Sequence, residues 1–199
     1  MQTETKNTRK EQAEITKNKL MEVALKKVRH EGYDQVKITD ICDEVGVSVG
    51  AFYHHFKNKA GIVIAAYEKC DVFFEEELYP KLKNRDDLDV IYDYIDYQMD
   101  YGMVYGIDFA TQIYKAQLTD GAEFFLSMDR GLPKGLTNLI QHLQEKGVLK
   151  NDHTAISISK EILIISRGIL YNWCQSNGNY DPRKCARHML GNYLQCYKA

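Results

Sequence analysis

The apolar positions of the chain recur at helical spacing almost from end to end, and no segment shows the alternation of a half-buried strand. From Lys10 to Glu31, the residues Ile15, Leu20, Val23, Ala24 and Val28 share one side of a helix, and Gly32 follows as its C-cap. Thr39 is placed to cap a second, short helix with Ile41, Cys42 and Val45 on its inner face, and Gly46 stops it. Ser48 caps a third helix that runs to about Phe56, and Asn58 a fourth from Lys59 to about Phe74. Pro80 and the polar stretch KLKNRDD then mark a joint. The segment DLDVIYDYIDYQMDYGMVYGIDFATQIY predicts a helix that is apolar on most sides, with one wet edge. Pro133 starts a helix ending near Lys146 and Gly147, and Asp152 caps a long one centred on EILIISRGILYNWC. Asp181 and Pro182 have the N-cap and N1-proline order of a last helix through Tyr197. The pattern predicts an all-α protein, with a three-helix unit in residues 1–58 joined to a larger helical domain in residues 59–199.

Two short helices joined by a glycine-containing turn form a helix-turn-helix. Gly46 supplies the positive φ that the turn requires, Cys42 is small where the helices cross, and Ile41, Val45, Val47 and Phe52 form the wedge between them. Ser48, Val49, Gly50, Ala51, Tyr53 and His54 are left outside. A recognition helix brings its N-terminal residues to base edges in the major groove, and Gly50 and Ala51 keep that end slim. Ser48, the free N–H groups of the helix start and the Tyr53 hydroxyl suit a phosphate. His54 is expected to face DNA and His55 to be half-buried. Adjacent on a helix, their rings diverge and cannot chelate one metal ion.

Charge sharpens this division. Residues 1–59 carry 11 Lys and Arg against 9 Asp and Glu, a net +2, and residues 60–199 carry 15 against 19, a net −4. Five cysteines are an odd number, and without a CxxC spacing they point away from a disulfide framework or a zinc site and towards a reducing compartment. With no apolar leader at the N-terminus and no apolar run of about 18 residues, the expected location is the cytoplasm, with no membrane partner. No cofactor is expected.

The run TDICDEVGVSVGAFYHHFKNKAGI resembles the DNA-binding signature of the TetR family of one-component transcriptional regulators. Thr39, Ile41, Gly46, Val47, Ser48, Gly50, Tyr53, His55, Phe56 and Lys59 carry the likeness. The chain departs from the family at Cys42, where Ala is usual, at Gly61, where an acidic or polar residue is usual, and at Val49, where many members have a polar or basic one. Gly61 costs about 1 kcal/mol of helix propensity relative to Ala. Val49 can touch thymine methyls but makes no bidentate bond to a base, which shifts sequence preference towards His54, Lys37 and DNA shape. The resemblance implies a regulator, usually a repressor, that binds a palindromic operator in double-stranded DNA and answers to a small-molecule effector. It places Lys37, Thr39, Ser48, Val49, Gly50, Ala51, Tyr53 and His54 at the DNA, with Lys59 as a phosphate-binding lysine at a helix start. Arg9 and Lys10 read either as a disordered arm or as minor-groove contacts. The last two helices are apolar on more than one face, which suits the family's homodimer interface.

Beyond Phe74 the composition changes, and residues 68–100 hold 11 acids against 4 bases. Asp89, Asp93, Asp96 and Asp100 form one stripe, expected in solvent, and Tyr94, Tyr97, Tyr101 and Tyr105 form another. Four hydroxyls that need partners predict an aromatic ligand cavity, to which Trp173 of the long C-terminal helix is added. An inward carboxylate, such as Asp108 or Glu123, would make that cavity favour cations. Cys174, Cys185 and Cys196 read as buried structural residues, with Cys185 and Cys196 on one helix face. Two alternatives stay open: a thiol-responsive sensor on the same scaffold, and an enzyme using the tyrosine cavity. No Ser/His/Asp, HExxH or phosphate-loop pattern supports the enzyme, and catalysis is not expected.

Overall fold

A computed structural model describes residues 8–119 and 122–199. Helix α1, Arg9–Glu31, begins in a capping box in which Thr8 and Glu11 each accept the other's backbone N–H. Arg9 and Lys10 are therefore its first turn and not a free arm. Helix α2, Ile38–Val45, starts one residue before Thr39, so Lys37 takes the N-cap position and the Thr39 hydroxyl turns to Asp40 instead. Gly46 ends it in the left-handed region at φ 77°. Ser48 caps α3, Val49–His55, its Oγ accepting from the Ala51 N–H at 3.1 Å. Asn58 does the same for Gly61 at 2.9 Å at the start of α4, Ala60–Phe73.

The expected joint falls at residues 83–88, mostly within the KLKNRDD stretch, and not at Pro80 itself. Helix α4 runs on through a π-helical turn, Phe74–Leu78, into the short α5, Tyr79–Leu82. The proline sits in the first positions of α5, where the wider turn tolerates a residue with no N–H to donate. The tyrosine-rich segment forms two helices, α6, Asp89–Met103, and α7, Gly106–Thr119, because the chain turns at Val104 and Tyr105. Then follow α8, Ala122–Leu126, α9, Gly131–Glu145, α10, Ala155–Gln175, and α11, Pro182–Leu194. Thr154, not Asp152, caps α10, accepting from the Ser157 N–H at 3.2 Å. Asp152 pairs with His153 instead. Asp181 caps α11 as its Pro182 neighbour leads one to expect.

The buried side chains form two clusters, and α4 belongs to both. Its first half contributes Ile62, Val63, Ala65 and Ala66 to a core shared with Leu20, Ala24, Ile41 and Phe52 of α1–α3, and also with Phe109, Ile113 and Ala116 of α7. Its second half gives Cys70, and the π-turn Phe74 and Leu78, to the core of α6, α9, α10 and α11. The crossing of α4 with α9 is so close that a Cβ on Gly131 would lie 2.0 Å from the Asp71 carbonyl oxygen.

The aspartate stripe of α6 is not simply wet. Arg187 of α11 reaches Asp93 at 2.6 Å and Asp96 at 2.8 Å, Arg183 reaches Asp100 at 3.3 Å, and Arg85 also pairs with Asp93. These pairs lie on the rim of the α6–α11 contact, where each is worth at most about 1 kcal/mol, so they fix register more than stability.

Candidate nucleic-acid interface and interior crevice

The surface of α3 is built by what lies beneath it. Phe52 is fully buried, its ring meeting Tyr53 edge-on at 5.6 Å and Phe56 at 5.3 Å. That anchor turns the opposite side of the helix outward, leaving Val49 40% and Tyr53 54% exposed, with Ser48, Gly50 and His54 also exposed and Ala51 half-buried. Lys37 and Thr39 stand exposed at the start of α2. His55 is half-buried, and burial, followed by the neighbouring charges of His54 and Lys17, lowers its pKa.

Lys59 behaves differently from the other predicted DNA contacts. Its ammonium donates to the Val36 carbonyl at 2.8 Å and lies 4.3 Å from the centre of the Tyr33 ring. Burial lowers the Lys59 pKa and pushes that of Tyr33 up to about 12. The side chain thus ties the start of α4 to the loop between α1 and α2, inside the unit.

The four tyrosines do not share a cavity. Tyr94 is core: its hydroxyl donates to the Leu132 carbonyl at 2.9 Å and its ring packs on Phe74 at 4.9 Å. Tyr97 is 46% exposed beside Phe73. Tyr101 donates to the Ala66 carbonyl of α4, and Tyr105 meets Phe109 edge-on at 5.0 Å, next to α1. The helical period carries successive rings around α6 to α9, to solvent and to α4, and Tyr105 lies beyond its end. Trp173 is buried near the C-terminal end of α10.

A different set converges in the interior. Tyr67 of α4, Gln98 of α6, Tyr114 and Gln117 of α7, and Arg167 of α10 line a narrow crevice. Ala110, Ile113 and Leu170 supply its apolar walls. The free space is only about 10 Å³, room for one water molecule at most. Arg167 donates to the Phe125 carbonyl at 2.9 Å, and the Tyr114 hydroxyl donates to the Arg167 carbonyl at 2.9 Å. Gln98 is 3% exposed, and its side-chain oxygen has no hydrogen-bond partner among the described residues. Burial raises the pKa values of Tyr67 and Tyr114 and lowers that of Arg167.

Asp108 and Glu123 are exposed, so neither brings negative charge inward. Two arginines face the interior instead. Arg130 is paired with Asp71 at 2.8 Å and covered by the rings of Phe124 at 4.4 Å and Tyr67 at 5.2 Å. Arg167 has no carboxylate partner among the described residues. The sequence carried a signal for it, because Arg167 interrupts the apolar run of α10 between Leu163 and Leu170.

All five cysteines are free thiols. Burial raises the pKa of Cys42, Cys70 and Cys174, which keeps them protonated and slow to react. Cys174 and Cys185 are half-buried, not buried, and Cys196 is exposed past the end of α11, off the helix face it was expected to share with Cys185. The two last helices keep apolar side chains outside as well as inside, with Ile164 66%, Tyr171 48% and Met189 44% exposed. Among the described residues, no helix is long and apolar enough to cross a membrane.

Residues 20–66, from the middle of α1 into α4, match the family model described as bacterial regulatory proteins, tetR family. The HTH-type transcriptional regulator CymR of Pseudomonas putida is 38% identical over 63 residues, which span 32% of this chain and 31% of CymR. The probable acrEF/envCD operon repressor of Escherichia coli K12 is 24% identical over an alignment covering 94% of this chain and 89% of that protein. Among solved structures, the TetR-family repressor FadR of Thermus thermophilus, in complex with lauroyl-CoA, superposes with a TM-score of 0.72 at 17% identity, covering 87% of this chain and 91% of its own. The helix-turn-helix is thus matched in sequence to the tetR-family DNA-binding model, and the helical body behind it has the fold of TetR-family structures.

Proposed function

We propose that the protein is a dimeric repressor that occupies a palindromic operator and leaves it when a small molecule enters the interior crevice. The observation that carries this reading is the N-terminal end of α3, where Gly50 and Ala51 keep the backbone slim and Ser48, Val49, Tyr53 and His54 surround it in reach of a duplex. Ser48 and Tyr53 contact phosphates, Val49 and Ala51 meet thymine methyls, and Lys37, Thr39 and His54 flank them. Lys59 supports this surface from behind through Val36. Helices α1–α3 form the DNA-binding unit, and the remainder holds the effector and the partner subunit.

The outward faces of α10 and α11, with Ile164, Tyr171 and Met189, supply an isologous dimer contact. Two-fold pairing of the subunits makes the operator a palindrome. Coupling runs through α7, which lines the crevice with Ala110 and Tyr114 while packing Phe109 and Ala116 into the core of the DNA-binding unit. A crevice this tight must widen to admit a ligand, and α7 and α4 then move against α1. The ligand shifts the equilibrium only to the extent that it prefers the widened state.

Selection of binding sites from random double-stranded DNA, followed by a salt titration on the enriched duplex, tests the reading. A palindrome bound by two chains, with affinity falling steeply in salt, is expected. Failure to enrich any site overturns it.

A further inference from the structure

Arg130 and Arg167 both turn towards the interior of the same part of the body, half-buried, and only one of them has its charge matched. Arg130 is held by Asp71, whose second oxygen also accepts from the Leu132 N–H at 3.1 Å. Arg167 donates to one backbone carbonyl, that of Phe125. The ionisable groups around it are the Tyr67 and Tyr114 hydroxyls, which burial keeps protonated and neutral, and the cation of Arg130, with no acid among them. Leaving an ion uncompensated in a desolvated site is costly. A fold keeps such an ion where something else completes it.

The crevice supplies further signs that the missing partner is a ligand. Gln98 directs an amide with no hydrogen-bond partner for its oxygen into the same space, and a buried polar group in that state calls for an explanation. The other walls, Ala110, Ile113 and Leu170, are aliphatic. One unmatched positive charge calls for one negative charge. The planar guanidinium fork fits a carboxylate in two parallel hydrogen bonds. A phosphate dianion would leave negative charge unmatched, since Arg130 is already neutralised by Asp71.

We infer that the crevice takes the carboxylate of a small, otherwise apolar molecule, with Arg167 as its charge partner, the Gln98 amide as a hydrogen-bonding group, and the aliphatic walls around its hydrocarbon part. This reverses the preference for cations that an inward Asp108 or Glu123 would have produced. It rests on the crevice being the effector site of the regulator proposed above.

The test uses the full chain and a matched panel: straight-chain carboxylates from butyrate to decanoate, benzoate and phenylacetate, each beside the alcohol and the amine of the same skeleton. Thermal unfolding and titration calorimetry are read for wild type, Arg167→Met and Arg167→Lys. At least one carboxylate raises the melting temperature of the wild type in a concentration-dependent way, and its alcohol and amine do not. Arg167→Met melts no lower than the wild type without ligand, and it loses carboxylate affinity by about tenfold or more. Arg167→Lys, which keeps the charge but not the fork, falls between them.

Amines that bind as well as carboxylates, a carboxylate response that survives in Arg167→Met, a panel with no binder, or an Arg167→Met chain that is clearly destabilised would each overturn the inference. Site selection on DNA is scored separately. A chain that binds its palindrome and ignores carboxylates keeps the regulator and loses this ligand class. A chain that binds a carboxylate through Arg167 and selects no DNA does the reverse.

Discussion

Around α3, the side chains offered to a partner stand in solvent on one short helix, whereas around the crevice they come from four helices, between Tyr67 and Arg167, and are largely buried. The first surface is specified by a handful of neighbours: the left-handed Gly46, the Ser48 cap and the Phe52 anchor. The second exists only once α4, α6, α7 and α10 have packed. Local construction gives a rigid surface whose chemistry can be read one residue at a time. Assembled construction gives a site whose chemistry depends on which buried charges find partners, and that can change shape when its helices shift.

The sharpest way to break this contrast compares the two inward-facing arginines. Asp71→Asn leaves Arg130 buried without its counter-charge and should cost about 3–5 kcal/mol in denaturant unfolding. Arg167→Met should cost nothing measurable or add stability. Equal losses would mean that both arginines are structural and that the crevice is ordinary core. A smaller effect belongs to the recognition helix: Ser48→Ala removes the cap from Ala51 and should lower stability by about 1 kcal/mol, with operator affinity falling alongside it.

The smallest effect is one of pH. Burial sets the folded pKa of His55 below its ordinary value of 6.5, so protons bind the unfolded chain more readily. The stability this confers is intact above about pH 6.5 and is lost as pH falls through the lowered folded pKa. His55→Gln should flatten that part of the stability profile, as read by thermal melts at a series of pH values. A profile identical to wild type would show that His55 is as solvated as His54.

The contrast also explains what could be read in advance. The helix-turn-helix, its wedge and the exposed end of α3 were legible because each rests on neighbours within a few positions. Helix order was largely legible for the same reason, apart from the caps of α2 and α10, the run of α4 through a π-turn past Pro80, the turn that splits α6 from α7, and the short α8. Lys59 was not, because its partners, the Val36 carbonyl and the Tyr33 ring, come from a loop more than twenty residues away. The aspartates of α6 looked solvated because Arg183 and Arg187 are some ninety residues distant in sequence. The tyrosine stripe misled for a geometric reason: residues spaced three and four apart still drift around a helix, and their hydroxyls found backbone carbonyls instead of one another. Arg167 on an apolar face was the one long-range feature with a local signature.

The most direct test of DNA recognition by α3 is the affinity of the wild type, Tyr53→Ala and Tyr97→Ala for the selected duplex over a range of salt concentrations. Tyr53 and Tyr97 are comparably exposed, at 54% and 46%, but only Tyr53 stands on α3. Tyr53→Ala should weaken binding by about tenfold, as expected for a lost hydrogen bond to a charged phosphate, with the steep salt dependence kept, while Tyr97→Ala should bind as the wild type does. Wild-type affinity in Tyr53→Ala, or an equal loss in both variants, would contradict the assignment of α3 as the DNA-reading surface.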